Sequence, residues 1–181
     1  MKFTPLPLEG AYRLDLERKG DSRGFFARLF CEEEFADHGL STDWSQCNVS
    51  HSAAKGTVRG MHFQRPPEAD AKLVKCMQGA VFDVIVDLRQ GSPTYGSWTS
   101  VTLSAVGGEM IYVPEGFAHG FQTLTDDAEL LYFHSKSYSP QHEGGLLFSD
   151  RDVGIVWPLE IGTLSDRDKS LPPLSQVEPI S

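Results

Sequence analysis

The chain has 181 residues, 40% of them apolar and 23% charged, which is enough for one full-sized hydrophobic core and too little for two. Sixteen lysines and arginines against 25 acids leave a formal net charge of −9, which disfavours nonspecific attraction to nucleic acid or to an anionic membrane surface. No run of about 18 apolar residues could span a bilayer, Met1–Pro7 lacks the basic-then-apolar order of a secretory signal, and three cysteines without C-x-x-C spacing suggest neither a disulfide framework nor a structural zinc. The expectation is a single domain over residues 1–181 in a reduced, cytoplasmic setting.

The first element in chain order is a short helix at Cys31–Gly39, with Glu32, Glu33 and Glu34 where the helix dipole favours acids and Gly39 as a stop. After Lys55-Gly56 the pattern changes to β-branched and aromatic runs punctuated by Gly, Pro and Ser, the pattern of a sandwich or barrel. The clearest runs are 73–76, 80–88, 98–103, 110–113, 117–124 and 128–134, with turn chemistry at Gly91-Ser92-Pro93-Thr94, Gly107-Gly108 and Pro114-Glu115-Gly116. Asp83 and Asp87 interrupt an otherwise continuous apolar strand, Ala80 to Leu88, as expected where a strand is packed on both faces. From Trp157 onward the prolines and the lack of periodicity predict extended chain wrapped on the body.

Strand logic does not need the polar residues of five clusters. Asp21-Ser22-Arg23-Gly24-Phe25-Phe26 is either a polar turn or a loop for a charged ligand. Gln46, Asn48 and Ser50 alternate, so they share one face of a strand, which could be solvated or could read a ligand. Arg59, His62 and Lys72 bring two cations and a titratable base to a loop-to-strand boundary. Pro114-Glu115-Gly116-Phe117-Ala118-His119 resembles the second motif of the cupin superfamily of small β-barrels, in which the histidine is often a metal ligand. Metal-binding cupins also need a His-x-His pair, and here the string is His62-Phe63-Gln64, so no metal is expected. The last cluster gathers Tyr132, Tyr138, Glu143 and Leu164-Ser165-Asp166-Arg167-Asp168. A phenol inside a barrel strand is a hydrogen-bonded core residue or a proton donor.

Taken in order, these strings resemble the dTDP-4-dehydrorhamnose 3,5-epimerase family of cupins over nearly the whole chain. They are Asp-x-Arg-Gly-Phe-Phe at 21–26, Gln-x-Asn-x-Ser at 46–50, Arg-Gly-Met-His-Phe-Gln at 59–64, Lys-Leu-Val at 72–74, Phe-Asp-Val-Ile-Val-Asp-Leu-Arg at 82–89, Gly-Ser-Pro-Thr-Tyr-Gly at 91–96, Pro-Glu-Gly-Phe-Ala-His-Gly-Phe at 114–121, Trp-Pro at 157–158 and Leu-Ser-Asp-Arg-Asp at 164–168. The resemblance implies an all-β fold, a cupin-type jelly-roll barrel with a few short helices. It further implies a cofactor-free epimerase of a nucleotide-linked 4-keto-6-deoxyhexose, acting as a homodimer with exchanged N-terminal strands.

By that resemblance His62 is the base that removes the ring proton, Asp168 its orienting partner, Lys72 the cation near the ketone oxygen and Tyr132 the acid that returns a proton to the opposite face. Arg23, Arg28, Arg59, His119, Glu143, Arg167 and the segment Gln46, Cys47 and Asn48 match positions around the nucleotide diphosphate and sugar, and Tyr138 a base-stacking aromatic. The chain departs from the family at Arg28, where glutamate is usual, at Phe133, where lysine is usual, and at Phe148-Ser149, where Trp-Asn is usual. A monoepimerase and an epimerase of a CDP- or GDP-linked ketosugar therefore stand as alternatives to the dTDP-linked 3,5-epimerase. A metal-dependent cupin enzyme using His62, His119 and Gln64 or Glu129, and a binding-only sugar-nucleotide module, are the readings from other classes.

Overall fold

The computed structural model describes residues 1–181. Its N-terminal part contributes β1 (Lys2–Pro5), β2 (Tyr12–Asp15), a hairpin of β3 (Lys19–Asp21) and β4 (Gly24–Phe26), and helix α1 (Glu32–Asp37). The β-branched and aromatic runs then become β5 (Gln46–Ser52), β6 (Val58–Gln64), β7 (Lys72–Gln78), β8 (Ala80–Asp87), β9 (Trp98–Ser104), β10 (Met110–Val113), β11 (Phe117–Thr123) and β12 (Ala128–His134). A short β13 (Glu143–Gly145), a single-turn helix α2 (Asp166–Lys169) and a 3₁₀ turn at Leu174–Gln176 complete the regular structure.

Two antiparallel sheets form the body, a six-stranded one in the order β1-β2-β10-β7-β12-β5 and a five-stranded one in the order β13-β6-β11-β8-β9. From β5 onward consecutive strands switch between the sheets, except at the β8–β9 hairpin, giving the jelly-roll barrel of the cupins. The β3–β4 hairpin pairs with neither sheet.

Alternation along each strand explains both the core and the site. Val74 and Cys76 of β7, Val81 and Ile85 of β8, Phe117 and Phe121 of β11, and Ala128 and Leu130 of β12 point between the sheets and are buried together. The same inward face turns polar where it continues to Lys72, Asp83, His119 and Tyr132. Pleat and register therefore place an apolar plug in one part of the barrel and polar side chains in the other.

Both outer faces are covered. α1 lays Phe35, fully buried, against Leu14, Leu73, Met110 and Tyr112 on the six-stranded sheet. On the five-stranded sheet Leu146, Val153, Val177 and Ile180 pack against Met61, Val84, Val86 and Ala118. Ile180 is tied to Leu88 through its backbone N–H (2.7 Å), and Gln90 N–H returns to the Ile180 carbonyl (2.7 Å). The segment after Trp157 is extended for most of its length, yet it contains α2, which the sequence reading took as extended chain. The overlooked signal is Ser165, whose hydroxyl accepts the Asp168 N–H three residues on (3.0 Å) and caps the turn.

Candidate active site

The polar end of the barrel opens into a cavity of about 600 Å³ walled by β5, β7 and β12 on one side, β6 and β11 on the other, and α2 with its preceding loop. Of the expected residues, Gln46, Asn48, Arg59, His62, Lys72, His119, Tyr132, Tyr138, Glu143, Arg167 and Asp168 all line it.

His62 lies on β6 opposite His119 of β11. Just before it, Gly60 has φ +122°, and a Cβ there would meet Gly120 Cα at 2.6 Å and the His119 carbonyl at 2.9 Å. Only glycine allows this close approach of β6 to β11. Asp168, carried by α2, closes the arrangement. One of its carboxylate oxygens meets His62 Nε2 at 2.8 Å and the other accepts the Gly60 N–H at 3.1 Å. Burial pushes the Asp168 carboxyl up, but the His62 and Gly60 hydrogen bonds outweigh it and hold the group below its usual value. The carboxylate thus stays ionised, fixes Nε2–H on His62 and leaves Nδ1 with the lone pair.

On the facing wall, Tyr132 of β12 has its hydroxyl 3.0 Å from Ser50 Oγ of β5. Burial pushes this phenol well above its usual range, so it keeps its proton. Lys72 of β7 donates to Asp70 Oδ1 at 2.8 Å, and both are buried. His119 Nε2 sits 2.9 Å from both oxygens of the fully buried Asp83. Burial raises that carboxyl, and His119 draws it partly back.

At the mouth, Glu143 takes a hydrogen bond from Tyr138 Oη (2.8 Å) and an ion pair from Arg167. Burial opposes ionisation of Glu143, and these two partners outweigh it. The Tyr138 backbone N–H donates to Gln46 Oε1. The Arg59 guanidinium is aimed by Ser52 Oγ and the His51 carbonyl, both at 3.0 Å. Gln64, the position of the missing cupin histidine, is spent on backbone contacts, donating to Glu68 and Ser137 carbonyls and accepting the Ser139 N–H. No three His, Cys, Asp or Glu side chains converge as a metal-binding group.

Three expected ligand contacts lie outside this cavity. Arg23 is at the tip of the β3–β4 hairpin, which pairs with neither sheet, and is 87% exposed and paired with Asp21. Arg28 is held by Glu34 of α1 at 2.6 Å. Cys47 falls on the odd face of β5 and is exposed, away from inward Gln46 and Asn48.

The model of the dTDP-4-dehydrorhamnose 3,5-epimerase family matches residues 5–176. The chain belongs to this family. A 3,5-epimerase of Sinorhizobium fredii is 43% identical over 182 residues, covering 100% of this chain and 93% of the relative. The Legionella pneumophila 3,5-epimerase in complex with dTDP-4-keto-L-rhamnose superposes with a TM-score of 0.93 at 33% identity, covering 99% of this chain and 98% of that one. A 3′-monoepimerase of Streptomyces bikiniensis in complex with dTDP-quinovose gives a TM-score of 0.88 at 39% identity, over 94% and 87%. The protein is an isomerase of the epimerase class, and its fold is the family's.

Sequence reasoning set Ser50 on the face it shares with Gln46 and Asn48 without giving it a role of its own, and it gave no role to Asp70, Asp83 and His134, which line or support this epimerase's cavity. Asp83 gave a signal as a charge inside an apolar strand. Asp70 and His134 gave one only through alternation, since each is two residues from an expected site residue, Lys72 and Tyr132 respectively.

Proposed function

We propose that the protein inverts both carbons flanking the ketone of dTDP-4-dehydro-6-deoxy-D-glucose by proton transfer alone. The observation that carries this reading is the placement of the His62–Asp168 pair and Tyr132 on opposite sheets facing one cavity. A sugar ring lying between the sheets presents one face to a base and the other to an acid, and removal on one face with return on the other is inversion.

In the forward step the His62 Nδ1 lone pair takes the proton alpha to the ketone, and the C–H electron pair moves into the enolate. Asp168 steadies the imidazolium that results, and the Lys72 ammonium stabilises negative charge building on the ketone oxygen. Tyr132 then donates its phenolic proton to the opposite face of the carbon, and solvent re-protonates the phenolate while His62 releases its proton. General acid and base groups of this kind contribute on the order of 10²- to 10⁴-fold each. Arg59 and Arg167 supply the cations for the diphosphate, and exposed Tyr138 offers a face to the base. The dTDP-sugar ligands of the Legionella and Streptomyces relatives support thymine as that base.

Arg23 and Arg28 fit the same reading if the active form is a homodimer that exchanges N-terminal strands, because the hairpin of one protomer and the segment just after it would then reach the cavity of its partner. Phe25 and Phe26, 59% and 76% exposed on that hairpin, are the apolar surface such an exchange would cover. The three unpaired cysteines suit a reducing, cytoplasmic setting.

The test is incubation with dTDP-4-keto-6-deoxyglucose in D₂O, with NMR to place each label. Deuterium at both carbons beside the ketone is the expected result. Label at one carbon makes the protein a monoepimerase like its Streptomyces relative. No enzyme-dependent label, with dTDP still bound, leaves a binding module and overturns the proposal.

A further inference from the structure

Three histidine–aspartate pairs lie at this one cavity, His62–Asp168, His119–Asp83 and His134–Asp70, and the mechanism above uses only the first. The third is His134 with Asp70. His134 ends β12, where it is directly opposite Lys72 of β7 in the register. Asp70, just ahead of β7, bridges the two, taking the Lys72 ammonium on Oδ1 at 2.8 Å and His134 Nδ1 on Oδ2 at 2.9 Å. The carboxylate side chain is 4% exposed and Lys72 9%, so each oxygen depends on its protein partner and not on water. Burial works against the Asp70 carboxylate, yet His134 and Lys72 together keep it below its usual value. The His134 ring also lies flat on Tyr132, with centroids 5.9 Å apart and planes at 21°, while His119 meets the same phenol edge-on at 6.3 Å.

We infer that His134 is a positioning residue of the epimerisation reaction, locking Lys72 through Asp70 and the Tyr132 ring through stacking, so that the cation and the proton donor keep one relative geometry. This rests on the functional reading above. With His134 donating Nδ1–H to Oδ2 and Lys72 donating to Oδ1, each oxygen of the buried carboxylate has one partner on this wall. Remove that donor and Oδ2 is left buried without a partner, which frees the carboxylate to turn and carry Lys72 with it. The cation then no longer meets the oxygen on which charge builds, a transition-state loss that leaves ground-state binding nearly untouched. The other polar neighbours facing His134 are Tyr132, Gln46 across the β5 pairing and Lys136 at the cavity mouth, and none of them donates to Asp70.

The test is steady-state turnover of dTDP-4-keto-6-deoxyglucose by His134→Phe, which keeps a flat ring on Tyr132 and deletes the donor, alongside Asp70→Asn, His134→Gln, Lys72→Met and the Lys72→Met/His134→Phe double variant. A misplacement of this size costs on the order of tenfold to a hundredfold in kcat, with KM within about threefold, and His134→Gln, which retains an N–H, recovers part of the loss. In the Lys72→Met background His134→Phe should cost no more than about threefold, because the residue it acts through is gone. An unchanged kcat in His134→Phe, or a full additive loss in the double variant, overturns the inference. Should His134→Phe fail to fold by circular dichroism, Asp70→Asn carries the same two predictions. If the unmodified enzyme itself turns nothing over, the functional reading fails; if it is active and His134→Phe equally so, only the role of His134 fails.

Discussion

Replacing Asp168 by asparagine changes one atom's chemistry and almost no volume, so its effect on the His62 pair can be worked from the geometry. The carboxylate accepts two N–H donors, His62 Nε2–H at 2.8 Å and Gly60 N–H at 3.1 Å. Asparagine has a single carbonyl oxygen. The Gly60 N–H is backbone and cannot change its role, so the carbonyl stays with it and the new NH₂ faces His62. Two donors cannot meet, and the imidazole answers by shifting its proton to Nδ1, the nitrogen that carries the lone pair for the substrate. Holding it in the active tautomer against this preference costs about 1.5–3 kcal/mol, the worth of a charge-assisted hydrogen bond, or roughly 10- to 150-fold in rate. Losing the negative charge that steadies the imidazolium adds to that, for a kcat on the order of 10²- to 10⁴-fold lower. KM should stay within about threefold, since Asp168 makes its contacts with His62 and Gly60 and not with the nucleotide end. The assay is kcat and KM for the keto-sugar, with the melting temperature as a check on folding. A folded Asp168→Asn enzyme whose kcat is within about threefold of the unmodified one would refute the tautomer argument.

Other consequences concern stability and cofactors. Gly60→Ala forces an L side chain to φ +122° and sets its Cβ 2.6 Å from Gly120 Cα, a backbone atom that cannot move aside; the expected loss is about 3 kcal/mol, or roughly 6–12 °C in Tm, and an unchanged Tm contradicts it. For pH, the folded-state value of Asp168 is depressed, so its contribution to stability is full above the unfolded value of ~3.9 and is lost as the pH falls through the lower folded value. The stability gap between the unmodified protein and Asp168→Asn should therefore narrow only below about pH 4 in urea unfolding; a gap that widens there reverses the sign. Dialysis against EDTA should leave turnover intact, and a loss restored by zinc, iron or manganese would replace the proton-transfer mechanism with a metal-dependent one.

Legibility followed the length and regularity of the pattern. The runs that became β8, β9, β11 and β12 could be read because they are seven or eight residues of β-branched and aromatic pattern, four-residue β10 because it is wholly apolar between Gly107-Gly108 and Pro114, and the alternation of Gln46, Asn48 and Ser50 correctly gave a shared face. The strands β1 to β4 are three or four residues each and carry no clear alternation, so they had no signal to read. The cavity residues came from strings widely separated in sequence, and only their order linked them. Alternation pointed weakly at Asp70 and His134, but their pairing depends on the register of β7 against β12, which no local string encodes. Cys47 was swept in with its neighbours although a strand turns every second side chain away. Arg23 sits on a hairpin that pairs with neither sheet of its own chain and Arg28 just after it, tied to Glu34 of α1, and a sequence does not say which chain a protruding hairpin serves.

The claim that the base and the acid attack from opposite walls is tested most directly by Tyr132→Phe. His62 and Asp168 are untouched in this variant, so a proton can still be taken and, for want of the phenol, can be handed back only by His62 on the same face. The expected result in D₂O is deuterium at the ring carbons with configuration retained and inverted product reduced on the order of 10²-fold or more. Inverted product at the unmodified rate would contradict the account, because it would place the second proton donor somewhere other than Tyr132.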